Sequence, residues 1–124
     1  MNPHLKPCPS SPNCVSTEAT DKTHAIAPYR YSGPAGDAMQ KLLGILKAMP
    51  RTKIVSSDGS MIRAEFKTAW FGFTDDGIFV ADDTTKSIRF RSASRVGRSD
   101  LGVNRRRMEA IRAAFAKEMR DSGQ

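Results

Sequence analysis

The chain has 124 residues, 39% hydrophobic and 27% charged, with a formal net charge of +7. That length fits one domain burying roughly 65% of its unfolded surface, and no run approaches the ~20 apolar residues that cross a bilayer. The charge is uneven: residues 1–85 carry nine basic and nine acidic side chains, residues 86–124 eleven and four. An excess confined to the tail predicts an acidic partner (a small anion or acidic headgroup, an anionic membrane, an acidic protein or nucleic acid) or, more plainly, a solvated face that keeps the protein soluble.

Residues 1–28 hold five of the seven prolines and no periodic apolar pattern, which predicts an irregular, extended N-terminal arm lying over a domain formed by residues 29–124. Its opening, MNPHLKPCPSS, has no apolar stretch of the signal-peptide kind. The expectation is a cytoplasmic protein, or one whose export segment lies outside this sequence. Cys8 and Cys14 flank a segment stiffened by Pro9 and Pro12. A disulfide between them would close a seven-residue ring worth about 2–2.5 kcal/mol on the chain-entropy model, and would imply an oxidising compartment such as the periplasm or cell envelope. Free thiols are one alternative. The other is a metal site with His4 and His24, whose spacing fits no familiar zinc pattern, so no metal ligand is assigned.

Ala27–Ser32 reads as a short strand with Tyr29 and Tyr31 on one face, and SGPAG as a break after it. A first helix is expected over Gly36–Met49, where Met39, Leu42, Leu43, Leu46 and Met49 make one apolar stripe stopped by Pro50. From Lys53 to Ser92 the period becomes two, with Ile62, Ala64 and Phe66 alternating against Arg63, Glu65 and Lys67. Asp58-Gly59 and Asp76-Gly77 are hairpin-turn signals. Further strands are expected at Ile78–Ala81 and Ser87–Ser92, joined through Asp82-Asp83-Thr84-Thr85. A last helix should run over Arg105–Asp121, with Met108, Ile111, Phe115 and Met119 facing the core and Asn104 as N-cap. This order predicts an α+β fold: an antiparallel sheet of four to five strands with two helices packed on one face.

Between Arg89 and Arg107 lie seven arginines, three serines and one aspartate. Guanidinium groups bind carboxylate and phosphate through paired donors, so so dense a block predicts an anion nearby. Arg105, Arg106 and Arg107 also fall in the first turn of the last helix, where each exposed cation costs about 0.3–1 kcal/mol unless something negative sits there. That negative group is either an external ligand or the protein's own Asp75, Asp76, Asp82, Asp83 and Asp100. Ser92, Ser94 and Ser99 suit oxyanion recognition and loop hydrogen bonds equally. No base stands near a nucleophile, since the histidines are His4 and His24. No phosphate loop or nucleophile elbow occurs, so no catalytic residue and no cofactor is expected. Phe90 between Arg89 and Arg91 could stack a base, but with nine aromatics in the chain, most at core positions, nucleic acid is disfavoured.

At PCPSSPNCVST and at RSASRVGRSDLGVNRRR the chain resembles the family catalogued as domain of unknown function 1499, which has bacterial and plastid members. The similarity runs through nearly the whole chain and includes FGFTDDGIF. Cys8, Asn13 and Cys14 match the opening motif. Asp75 and Asp76 match the paired acids, with Gly77 where a β-branched residue is expected. Arg91, Ser92, Ser94, Arg95, Gly97, Asp100, Gly102, Asn104 and Arg105 match the closing motif. The resemblance implies no activity. Many members look exported, lipid-anchored or membrane-linked, which agrees with a Cys8–Cys14 disulfide, although no leader is visible here.

The expected function is a non-enzymatic binding module of the cell envelope with an anion-recognition site at one sheet edge. In it Arg91, Arg95 and Arg105 clamp the anion, and Ser92, Ser94 and the backbone near Asn104 complete the hydrogen bonds. Asp75, Asp76 or Asp100 orient the guanidiniums. Two other classes remain: a carrier that encloses an apolar or lipid-like ligand between a curved sheet and the last helix, and an interaction subunit docking its arginine face on an acidic protein, anionic membrane or nucleic acid.

Overall fold

A computed structural model describes residues 5–69, 72–97 and 99–122. The elements run β1 (Cys14–Ser16), β2 (Tyr29–Arg30), α1 (Ala35–Ala48), β3 (Thr52–Ser57), β4 (Met61–Lys67), β5 (Thr74–Asp82), β6 (Ser87–Ser94) and α2 (Val103–Ser122). They form an α+β fold. Strands β3, β4, β5 and β6 make an antiparallel meander, and β1 and β2 both add to the free edge of β6.

The sheet therefore has six strands where four or five are expected, because the arm supplies one. Cys14, Val15 and Ser16 pair with Ala93, Ser92 and Arg91, and all three are buried. The ladder continues as Thr17 N–H donates to Phe90 O at 3.0 Å. Three residues are too few to show alternation, so a strand this short leaves no periodic signal.

Alternation in the longer strands decides what each sheet face carries. Ile62, Ala64, Phe66, Phe79, Ile88 and Phe90 turn toward the helices and meet Met39, Leu42, Leu46, Met108, Ile111 and Phe115 in one core. Ile78, Val80 and Met61 turn the other way, where Leu5 of the arm covers them. Tyr29 ties arm to helix: its ring stacks on Phe90 at 4.4 Å, and its hydroxyl donates to Met108 O at 2.7 Å.

Two expectations about local structure are corrected. Asp76-Gly77 is not a turn; both residues lie inside β5, paired to Glu65 and Ala64 on one side and to Ala93 and Ser92 on the other. Glycine is needed there for space rather than for backbone angle, since a Cβ would come 2.7 Å from Phe66 Cε2. Nor is Asn104 the N-cap of α2. The helix starts at Val103, and Asn104 is fully buried in its first turn. Asp100 does the capping, accepting from Gly102 N–H at 2.8 Å and Asn104 N–H at 3.0 Å. This carboxylate is the negative group that the arginine-rich helix start calls for. The Asp58-Gly59 turn and the Asp82–Thr85 link fall where expected.

Cys8 and Cys14 form a disulfide. The metal alternative loses its two thiolates, and His4 lies outside the described residues. His24 instead sits over the ring, with Nε2 2.9 Å from Ser11 O and Nδ1 2.6 Å from an Asp21 carboxylate oxygen. No helix among the described residues is long and apolar enough to cross a membrane.

Candidate functional site

The period of β6 separates the expected anion-binding residues. Ser92 points toward the helices, where its hydroxyl donates to Asn104 Oδ1 at 2.6 Å. Asn104 Nδ2 in turn donates to Ser94 Oγ at 3.2 Å and to Asp100 Oδ2 at 2.7 Å. These four residues come together as an internal network, with Ser92 and Asn104 buried and Ser94 and Asp100 half-buried. Arg91 and Arg95 lie on the opposite sheet face, and Arg105 lies on α2 against the arm. The three proposed clamps do not converge.

Most of the block is occupied internally. Arg95 Nε and Nη2 bond both oxygens of Asp76 at 2.8 and 2.9 Å, and Nη2 also reaches Glu65 at 2.8 Å. Hydrogen bonds to Asp76, then to Glu65, raise the Arg95 pKa further above its ordinary value. Arg89 contacts Glu18 and Asp82. Arg105 donates to the carbonyls of Ala25 and Thr23 at 2.9 and 3.1 Å, and Arg112, two turns later on the same face, donates to those of Pro28 and Ala27. Helix α2 thus spends two cations on holding segment 23–28 to its side. Arg106 donates to Leu101 O at 2.7 Å, and Arg98 lies outside the described residues. The paired acids split as well: Asp76 orients Arg95, Asp75 faces the helices, and Asp100 caps α2. Burial works against the Asp100 charge, but hydrogen bonds from the Asn104 side chain and from the N–H groups of Asn104 and Gly102 outweigh it and hold its pKa below 3.8.

The open feature of this region lies between the end of α1, the start of α2 and the sheet beneath them. It is a cavity of about 550 Å³, within the ~300–1,000 Å³ range of small-molecule sites. Met49 and Pro50 come from α1's end, Phe66 from β4, Phe73 from the β4–β5 loop, Val96 and Leu101 from the approach to α2, and Val103 from its first residue. Phe73, Val96 and Leu101 are 49%, 57% and 81% exposed. Large apolar groups held in water at a cavity mouth are a mark of a binding surface. Leu101 also holds a left-handed backbone, φ 54°, directly before Gly102 at φ 79°, a conformation costly for a residue with a Cβ.

Asp75 is the polar group in the wall. It is 1% exposed, yet among the described residues neither carboxylate oxygen accepts a hydrogen bond. Arg107 Nη1 lies 2.9 Å from Oδ2, but its N–H is not aimed at that oxygen; Nη1 donates to Asn104 Oδ1 at 3.2 Å instead. The pair is a charge contact that leaves the acceptor sites of Asp75 unused. Arg107 is steered by Phe66, whose ring centre lies 4.7 Å from the guanidinium carbon. A buried acceptor without a donor costs roughly 1–3 kcal/mol, so this carboxylate is under pressure to gain one.

Arg107, Phe66, Phe73, Val96 and Leu101 are absent from the expected site. The usable signal is Val96 and Leu101, apolar residues stranded in the polar loop RVGRSDLG. From the sequence Asp75 has two expected roles, orienting or neutralising arginine, and neither places it on a cavity wall.

The chain belongs to the family described as protein of unknown function (DUF1499), whose model matches residues 4–115. No curated protein matches the chain, and no solved structure does.

Proposed function

We propose that the protein is a non-enzymatic binding module that holds an apolar small molecule, by a neutral hydrogen-bond-donating head, in the cavity between α1 and α2. The observation that carries this reading is Asp75: a buried carboxylate on the wall of a largely apolar cavity, with both oxygens lacking donors among the described residues. A ligand hydroxyl or amide N–H would supply them, while the apolar tail lies along Phe66, Phe73 and Leu101. Asp75 and Asp100 together disfavour an anionic head at this depth, and Arg107 offsets the attraction for a cation. The carrier reading is thus favoured over an anion clamp of Arg91, Arg95 and Arg105, whose groups are dispersed. The disulfide favours an oxidising compartment such as the cell envelope.

Thermal unfolding with 1-decanol, decanoate and decane at matched free concentration tests it. Decanol at a hundred times its dissociation constant adds about 2.7 kcal/mol, a rise of about 10 °C for a chain this long. Decane and decanoate should give less. Equal shifts for all three, or none, contradict the reading.

A further inference from the structure

We propose that the sheet face turned away from the helices carries a second site, which takes a phosphate-class oxyanion between Arg91 and Arg63. The site is separate from the cavity, on the other side of β5, and does not depend on it.

Arg91 differs from the arginines around it. Arg89, Arg95 and Arg107 each meet a carboxylate, and Arg105 and Arg106 donate to carbonyls at 2.7–3.1 Å. Arg91 has no carboxylate within ion-pair distance among the described residues, and its one bond, Nη2 to Pro7 O, is stretched to 3.5 Å. Its Nε is buried without a partner among the described residues. Burial pushes its pKa down and Asp76 offsets this in part. A half-buried guanidinium in this state gains by binding an acceptor.

The register supplies a second cation. Arg63 on β4 pairs with Ile78 on β5, and Ile78 pairs with Arg91 on β6, so the three form one row across the sheet. Strands ~4.8 Å apart set the two arginine backbones about 10 Å from each other, with Ile78, largely covered by Leu5, between them. That is within reach of two long side chains closing on one tetrahedral anion. Lys6 of the arm lines the same groove of about 330 Å³. Two acids, Glu65 and Asp76, also line the groove; they form the neighbouring row and are both engaged by Arg95. Arg95 offsets one of these two negative charges, and Arg63, Arg91 and Lys6 outweigh the other, so the groove keeps a positive surplus. Phosphate suits this geometry better than carboxylate, because three oxygens can face three separated donors.

The test follows the arginine Nε–H resonances of the full chain during titration with inorganic phosphate against chloride at fixed ionic strength. The Arg91 Nε–H signal should move saturably. Arg63→Gln, an exposed substitution that leaves the core alone, should weaken the apparent affinity about tenfold or more. Arg91→Lys, which keeps the charge but has no Nε donor, should weaken it similarly. Cosedimentation with phosphatidylcholine vesicles containing phosphatidic acid, lost in Arg63→Gln, identifies the source as a lipid headgroup. Saturation by phosphate without cosedimentation identifies a soluble phosphate compound. An Arg91 signal that does not saturate, or an affinity that Arg63→Gln leaves unchanged, overturns the proposal.

Discussion

Replacing Gly77 by alanine should destabilise the protein, against the usual effect of adding a methyl to a glycine in regular structure. Removing the backbone freedom of glycine contributes about 0.5–1 kcal/mol in favour of the variant. The new Cβ, however, would stand 2.7 Å from Phe66 Cε2, 3.5 Å from Phe66 Cζ and 3.5 Å from Phe79 Cε1. Phe66 is 1% exposed and Phe79 is fully buried, so neither ring moves without disturbing the core. Overpacking of this kind costs about 1–3 kcal/mol, leaving a net loss of about 1–2 kcal/mol. With an unfolding entropy near 0.26 kcal/mol/K for this length, the thermal midpoint should fall by about 4–8 °C. Gly44→Ala is the matched control. Gly44 is exposed on α1, with nothing within 4 Å of its would-be Cβ. It should gain up to about 1 kcal/mol, a rise of about 4 °C. Calorimetry on both variants decides the matter. A Gly77→Ala midpoint equal to or above wild type would refute the argument and show that the Phe66 ring yields freely into the cavity it lines.

Two further predictions concern the arm. Reducing the disulfide, or changing Cys8 and Cys14 to serine, should lower stability by about 2–2.5 kcal/mol; thermal melts with and without reductant check this, and a difference under about 2 °C would contradict it. Because Asn13 within the ring donates to Gly97 O at 2.8 Å, amide exchange at residues 95–97 should also accelerate. His24 should make stability fall with rising pH. The hydrogen bond to Ser11 O, with help from the Asp21 carboxylate, raises its pKa above 6.5 against burial and the nearby Arg105 charge. A raised histidine contributes stability that is fully present below 6.5 and lost as pH climbs through the folded value. Melting midpoints across that window should decline in wild type and flatten in His24→Asn; a rising wild-type profile would oppose this.

Much of the fold is legible in the chain because its patterns are long. Ile62–Phe66 alternates over enough residues to fix a wet and a dry face, and α1 repeats its apolar stripe over several turns. What escapes is set by contacts rather than pattern. Cys14–Ser16 is a strand because β6 has a free edge, which a three-residue window cannot reveal. Gly77 carries the same dipeptide as a turn but answers to a ring on the neighbouring strand. The candidate site is half legible for the same reason. RFRSASR already alternates, and a strand's period of two sends Arg91 and Ser92 to opposite faces, so a single site built from both conflicts with the pattern. That Asp75 and Asp76 part in the same way follows only once they are known to lie within β5.

The most direct test of the ligand-binding reading is a methyl chemical-shift titration of wild type and Asp75→Asn with 1-decanol. Saturable shifts are expected at Met49, Val96, Leu101 and Val103 in wild type. In Asp75→Asn the affinity should drop about tenfold, with the shifts still confined to those methyls. Shifts scattered over the surface, or an affinity indifferent to Asp75, would contradict it.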